Sequence, residues 1–145
     1  AGSILKASIS KVIAIKTKSN GKEIEVTRAK AAQKIKTCFT IIENRVAEKG
    51  MKILYLRVIG PSNNIISTTN ETTQINGQSS RFSAKVEVEY ANKDTDICMY
   101  YTSQNTTKSQ NLNDLVKGDY KIEIYHNGFK IGEGVRSLKK GGLFG

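Results

Sequence analysis

Groups that enzymes use for acid–base chemistry are scarce in this sequence. Its 145 residues include one histidine, His126, and only two cysteines. Nucleophilic hydrolases hold a base, usually histidine, beside the nucleophile. His126 directly precedes Asn127-Gly128, a pair typical of hairpin turns. We interpret His126 as a solvated turn residue, and we predict that the protein is not an enzyme, with no catalytic residue and no cofactor.

Recognisable patterns of metal ligands are also lacking. Two cysteines are too few for a zinc site or a disulfide scaffold. Asn92, Asp94 and Asp96 lie two apart, as in a calcium-binding loop, but the glycine and terminal glutamate of such a loop are missing. Glu87 and Glu89 alternate with valines, which indicates a solvent-facing sheet surface rather than a glycosidase pair. We predict no metal site.

Long apolar runs are absent as well. No segment approaches the roughly eighteen apolar residues that span a bilayer, and the first residues lack the charged-then-apolar order of a signal peptide. We therefore predict no membrane span within this sequence. The length favours one domain: residues 4–139 form it, residues 1–3 are a cloning remnant or follow a processing site, and residues 140–145 are a flexible tail.

Basic side chains outnumber acidic ones, 23 against 13, which gives a formal net charge of +10. Such a charge favours polyanionic partners such as nucleic acid. If the two ends of the chain pair in the fold, seven basic residues would merge into one patch: Lys16, Lys18, Lys22, Lys117, Lys121, Lys130 and Arg136. No arginine-aromatic readout motif accompanies them, so a solvated basic surface is favoured over a nucleic-acid site.

Apolar residues recur at every second position along most of the chain, which indicates strands. The alternating segments are 11–17, 23–27, 36–42, 52–59, 82–90, 95–102, 120–125 and 129–138. Only Arg28 to Lys36 has helix-like composition, and Thr68 to Ser80 is interpreted as a loop or weak edge segment. We predict an all-β, immunoglobulin-like antiparallel β-sandwich of about seven to eight strands, with a closed barrel as the alternative.

Three stretches carry a family resemblance: residues 35–60, 85–98 and 117–139. Within them the segments CFTIIEN, YLRVIGP and KGDYKIEIYHNG, with Cys38 and Cys98 at matching places, resemble the C-terminal β-domain of coiled-coil envelope proteins from Bacteroidetes bacteria. Those proteins often carry the label of chromosome-partitioning proteins. The resemblance implies an N-terminal membrane anchor, a long coiled coil outside the cytoplasm and this domain at the end, hence an extracytoplasmic location in the cell envelope.

Cys38 and Cys98 both fall on predicted strands, on the face opposite the apolar stripe. An extracytoplasmic location permits an inter-strand bridge, and two inert thiols are the alternative.

These observations together predict a non-enzymatic interaction module of the bacterial cell envelope that binds a protein or surface partner. Polyanion or DNA binding through the basic surface is the alternative function. The candidate contacts are the polar segments 68–80 and 103–113. The sequence makes no prediction of the oligomeric state.

Overall fold

The computed structural model describes residues 3–103 and 115–140. Strands dominate these ranges, and the one helical element in them is a short 3₁₀ turn over Ala29–Ala31. The strands are β1 (Ala7–Thr17), β2 (Glu23–Val26), β3 (Lys34–Ile41), β4 (Gly50–Ile59), β5 (Ile65–Ile66), β6 (Thr72–Ile75), β7 (Gln78–Arg81), β8 (Ala84–Tyr90), β9 (Thr95–Thr102), β10 (Gly118–His126) and β11 (Phe129–Leu138). Within the described ranges, no helix has the length and apolar character needed to cross a membrane.

Two antiparallel sheets form the body of the domain. The first sheet has the order β2-β1-β3-β9. The second has the order β11-β10-β4-β5, and β8 also pairs with β4, alongside β5. A single isolated bridge, Arg28 with Lys139, joins residues that flank the two sheets. Since the described strands are otherwise paired only within separate sheets, the predicted immunoglobulin-like β-sandwich is confirmed and the closed barrel is wrong.

The core lies between the sheets and follows the predicted alternation. Leu54, Leu56 and Val58 of β4 are fully buried, as are Ile122 and Ile124 of β10. From the first sheet, the buried side chains of β3 include those of Ile35, Thr37, Phe39 and Ile41. Burying each large apolar side chain contributes roughly 1.5–3 kcal/mol, so the matched faces of these central strands hold the sandwich together.

Strands β1 and β11 approach each other closely at one edge of the sandwich. A Cβ atom added to Gly132 would lie 2.9 Å from the backbone oxygen of Ala7. The three atoms nearest to one added to Gly134 are side-chain atoms of Val12 and Ile9, at 3.3 Å or more. At the same edge Arg136 Nη2 lies 3.2 Å from Glu25 Oε2 on β2. Glycine at position 132 therefore lets the two strands touch.

The segment from Ile65 to Arg81 contains more structure than the sequence suggested. Strands β6 and β7 form a hairpin around Asn76-Gly77, and both turn residues have positive φ, 51° and 79°. This turn type is favoured by an Asn-Gly pair, which the interpretation as a loop or weak edge segment did not use. With β5, the hairpin raises the number of described strands above the predicted seven to eight.

The helix-like composition of Arg28 to Lys36 does not produce a helix beyond the 3₁₀ turn. From Lys34 onward the chain is β3, which pairs with β1 on one side and β9 on the other. The hydrogen bonds to two neighbouring strands and the burial of one face of β3 outweigh the intrinsic helix propensity, which is worth only about a few tenths of a kcal/mol per residue.

We expect Gly132→Ala to lower the free energy of unfolding by about 1–3 kcal/mol, because the new methyl group would meet the backbone of β1, which cannot rotate away. Gly134→Ala is the matched control and should cost less than about 1 kcal/mol, since the neighbouring side-chain ends can shift. Urea unfolding of both variants tests this, and equal losses would contradict the close approach at Gly132.

Candidate functional site

The outer face of the second sheet is covered by the hairpin β6–β7 (residues 72–81), named here the strap. Arg57 Nη1 of β4 donates to Ser80 Oγ at 3.0 Å. At the strap's turn, Asn76 N donates to the carbonyl oxygen of Gly128 at 3.0 Å. Ile75 of the strap is buried. The strap therefore crosses from β4 to the β10–β11 turn and excludes water from what lies beneath.

Beneath the strap lies a buried ionised cluster centred on Glu123, which is only 4% exposed. Arg57 donates to Glu123 Oε1 through Nε at 3.0 Å and Nη2 at 2.8 Å. The hydroxyl of Tyr125 donates to the same oxygen at 2.8 Å and accepts from Arg57 Nη2 at 3.0 Å. Arg57 and Glu123 are direct cross-strand partners of β4 and β10, so strand register brings them together.

The electrostatics of this cluster keep Glu123 charged. Burial acts to raise the pKa of its carboxyl, but the hydrogen bonds from Arg57 and Tyr125 outweigh burial and leave the pKa lowered. Burial and the hydrogen bond to Glu123 raise the pKa of Tyr125. A general acid or base works best with a pKa near the operating pH. Both groups titrate farther from neutrality than usual, which fits a structural role.

The residues of the predicted basic patch differ in whether they pair with carboxylates. Lys121 and Lys130 each place Nζ 3.5 Å from Glu123 Oε2, and Lys130 also lies 3.1 Å from Glu133. Arg136 is paired with Glu25. The remaining predicted members are exposed: Lys16, Lys18 and Lys22 on β1 and its turn into β2, and Lys117 just before β10. Three of the seven cations thus face carboxylates.

An open groove of about 550 Å³ lies where the strap meets the β10–β11 turn. It is lined by Met51, Lys52, Ile53, Tyr55, Thr73, Gln74, His126, Asn127 and Gly128. Met51 and Ile53 are 60% and 42% exposed, unusually high for apolar residues of a central strand. Two adjacent apolar side chains on the outward face of β4 are the feature that sequence reasoning missed, although the alternation of KILYLRVI placed Ile53 on that face.

His126 ends β10 and is half-buried in this groove, instead of being solvated in a turn as predicted. Its pKa is lowered by burial and by the positive charge of Lys52. Among the described residues that line the groove, none carries a carboxylate. The imidazole therefore has no acidic partner there of the kind that orients a catalytic histidine.

The residues considered as calcium ligands already have protein partners. Asn92 Nδ2 donates to the carbonyl oxygens of Asn44 and Ala47, both at 2.7 Å. Asp94 Oδ1 accepts from the backbone of Glu43, and Asp96 Oδ1 accepts from the hydroxyl of Thr40. Over residues 3–103 and 115–140, no group of three or more His, Cys, Asp or Glu side chains is arranged to hold a metal ion.

Cys38 and Cys98 form a disulfide with an S–S distance of 2.06 Å. They are directly opposite partners on β3 and β9 of the first sheet. Cys98 is exposed, and its neighbour Met99 is buried, so the bridge lies on the outer face of the sheet. The second predicted contact segment, 103–113, lies outside the described residues beyond Ser103.

A family model described as Domain of unknown function (DUF8428) matches residues 8–139. The chain belongs to the DUF8428 family. No curated protein matches this DUF8428 domain in sequence.

Among solved structures, the DUF8428 domain is similar to part of a β-glucosidase from Kluyveromyces marxianus, with a TM-score of 0.51 at 9% identity. The match covers 95% of this chain and 15% of the enzyme, so the domain spans only a small part of that protein. An immunoglobulin-like protein from Pseudomonas aeruginosa aligns at a TM-score of 0.36 and 14% identity over 96% of this chain and 99% of its own. The likeness to the β-glucosidase concerns the fold alone.

We expect Glu123→Gln to destabilise the domain by about 2–4 kcal/mol at pH 7, because Arg57 would lose its ionised partner in a buried position. Glu133→Gln is the matched control: its carboxylate is exposed and contacts Lys130, so its loss should cost less than about 0.5 kcal/mol. Chemical denaturation of both variants measures the difference.

The pH dependence of the same variants provides an independent test. The pKa of Glu123 in the folded state lies below the 4.5 of an unperturbed glutamate. Its ionised form therefore adds stability that is complete above pH 4.5 and is lost as the pH falls through the lowered folded pKa. The gap in unfolding free energy between wild type and Glu123→Gln should shrink below pH 4.5. A gap that stays constant to pH 3 would contradict an ionised Glu123.

Proposed function

We propose that this DUF8428 domain is a non-enzymatic interaction module that binds a protein partner at the groove between β4, the strap and the β10–β11 turn. The observation that carries the proposal is the pair of exposed apolar side chains, Met51 and Ile53, on a strand whose opposite face is locked into the core. Adjacent exposed apolar groups on a rigid support are typical of protein-binding surfaces.

The rest of the groove supports the same kind of partner. Gln74 and Asn127 offer amide groups and Thr73 a hydroxyl beside the apolar pair. Phe129, the cross-strand partner of His126, is 51% exposed close by. An apolar centre with a polar rim is how protein interfaces are built.

Polyanion binding stays the alternative prediction, since it rests on the net charge of +10. The ion pairs around Glu123 and Glu25 weigh against it. They reduce the positive potential that Lys121, Lys130 and Arg136 present to an incoming phosphate.

Location outside the cytoplasm is part of the proposal. The Cys38–Cys98 bridge supports it, because disulfides form and persist mainly in oxidising compartments. The anchor and coiled coil implied by the resemblance to Bacteroidetes envelope proteins would hold the domain at the cell surface or in the periplasm. These larger features stay predictions.

A photo-crosslinking amino acid at Met51 or Ile53 of the full-length protein should yield an adduct with one protein in its native cells. Val135, which is 66% exposed on β11, is the matched control and should yield none. The Met51 adduct should be lost in Ile53→Lys and should change little between 50 and about 200 mM salt, since apolar burial is insensitive to screening. Equal adducts at Met51 and Val135 would contradict the proposal.

Binding to duplex DNA distinguishes the alternative function, polyanion binding, from protein binding. We expect no stable complex between the domain and a short duplex near physiological salt. A complex that weakens about 10³-fold or more between 50 and 200 mM salt, and that is lost in Lys121→Glu/Lys130→Glu, would replace protein binding with polyanion binding.

The location can be tested through the thiols. Protein taken from its native cells under conditions that block thiol exchange should react with alkylating reagent at neither Cys38 nor Cys98, and at both after reduction. Labelling of both cysteines before reduction would place the domain in a reducing compartment.

A further inference from the structure

Strand β4 extends beyond β10, the strand that pairs with one of its two edges. β4 runs from Gly50 to Ile59, but β10 pairs only with Tyr55 to Ile59. β10 ends at His126, and the chain turns back at Asn127-Gly128 into β11. Within the described part of the chain, no other strand pairs with β4 on that side. The first half of β4 therefore has one open edge, and the groove lies along it.

The direction of the backbone groups at this edge follows from the hydrogen bonds farther along β4. Ser83 N donates to the carbonyl oxygen of Leu56, and Val58 N donates to Ser83 Oγ. Even-numbered residues of β4 thus direct N–H and C=O toward the β8 side. The register with β8 is unbroken from Gly50 to Leu56. Since alternate residues of a strand point to opposite edges, Met51 and Ile53 direct their N–H and C=O groups into the groove.

We propose that the groove accepts an extended peptide segment of the protein partner, which adds to the second sheet as a strand paired with Met51 and Ile53. The inference rests on the proposed function and specifies how the partner is held. Two donors and two acceptors in an open groove are the complement of two peptide units, and strand addition to a sheet edge is a recurring mode of peptide recognition.

The charge of Lys52 and the alternating side chains of β4 indicate which residues the peptide segment should carry. Peptide residues opposite Met51 and Ile53 would lie on the outer face beside those exposed side chains, which favours β-branched apolar residues there. The residue between them would lie opposite the positive charge of Lys52, which lines the groove. Burial, together with the charge of Lys52, lowers the pKa of His126, which favours its neutral form. The segment is therefore apolar-acidic-apolar.

The probe is the blocked peptide acetyl-Thr-Val-Glu-Val-Thr-amide, titrated into the whole chain and followed by the amide signals of the protein. At saturation, hydrogen exchange of the Met51 and Ile53 amides should slow at least tenfold. Two matched peptides serve as controls. Methylation of both valine nitrogens should weaken binding at least tenfold, and replacement of the glutamate by lysine should weaken it at least threefold.

A protein variant gives the converse test. Ile53→Pro removes one backbone donor at the open edge and none from the ladder with β8, so it should weaken the peptide at least tenfold. Because proline can also disturb β4 itself, the methylated peptide on wild-type protein is the decisive comparison. Equal affinity for the methylated and unmethylated peptides would overturn strand addition.

Strand addition can fail while protein binding at the groove holds, and two results show this. A partner that crosslinks at Ile53 but binds Ile53→Pro with unchanged affinity would leave protein binding intact and overturn strand addition. Slowed exchange at Met51 and Ile53 that depends on the concentration of the chain alone, with dimers in sedimentation, would overturn the peptide partner in favour of a second copy of this chain.

Discussion

The neutralisation of one buried carboxylate organises the outer face of the second sheet. Glu123 is held by Arg57 from the neighbouring strand and by Tyr125 from its own. An ion pair of this kind adds little net stability over an apolar pair, because desolvation offsets the attraction. It is intolerant of misalignment, however, since a shift in register would leave a charge buried alone. The pair thus fixes β4 against β10, and through Ser80 it fixes the strap.

The fixed positions of β4, β10 and the strap determine the shape of the groove. Its floor is a strand whose other face carries Leu54 and Leu56 in the core, and one wall is the strap that Asn76 ties to Gly128. A site whose walls are set before the partner arrives loses little conformational entropy on binding. The lengths of β4 and β10 differ, and this difference leaves backbone groups of β4 without a strand partner among residues 3–103 and 115–140. Pre-organised walls and an unfilled sheet edge are thus properties of the same few residues.

Alternation in the sequence predicted eight of the strands and the buried faces of β3, β4 and β10, because each of those strands packs one side against the core. The strap was not predicted, because its side chains are almost all polar and its stability comes from the sheet it covers. The Asn76-Gly77 pair was the one local signal for a hairpin. Glu123 is indistinguishable in sequence from Glu87, as both alternate with β-branched residues. The strap buries the first and not the second, and that difference is a matter of tertiary structure. Among the predicted basic residues, Arg136 pairs with Glu25, which lies far away in the sequence, so this ion pair could not be predicted from the sequence.

The position of the Cys38–Cys98 bridge matters if the domain carries mechanical load. The two half-cystines are separated by 60 positions, and β4, the strap and β8 all lie between them. Tension applied to the two ends of the chain passes through the covalent link from β3 directly to β9. The intervening polypeptide is bypassed and cannot be drawn out while the bond is intact. Stretching would peel away β1, β10 and β11 first, whereas the part of the groove built from β4 and the strap would stay within a loop shielded from force.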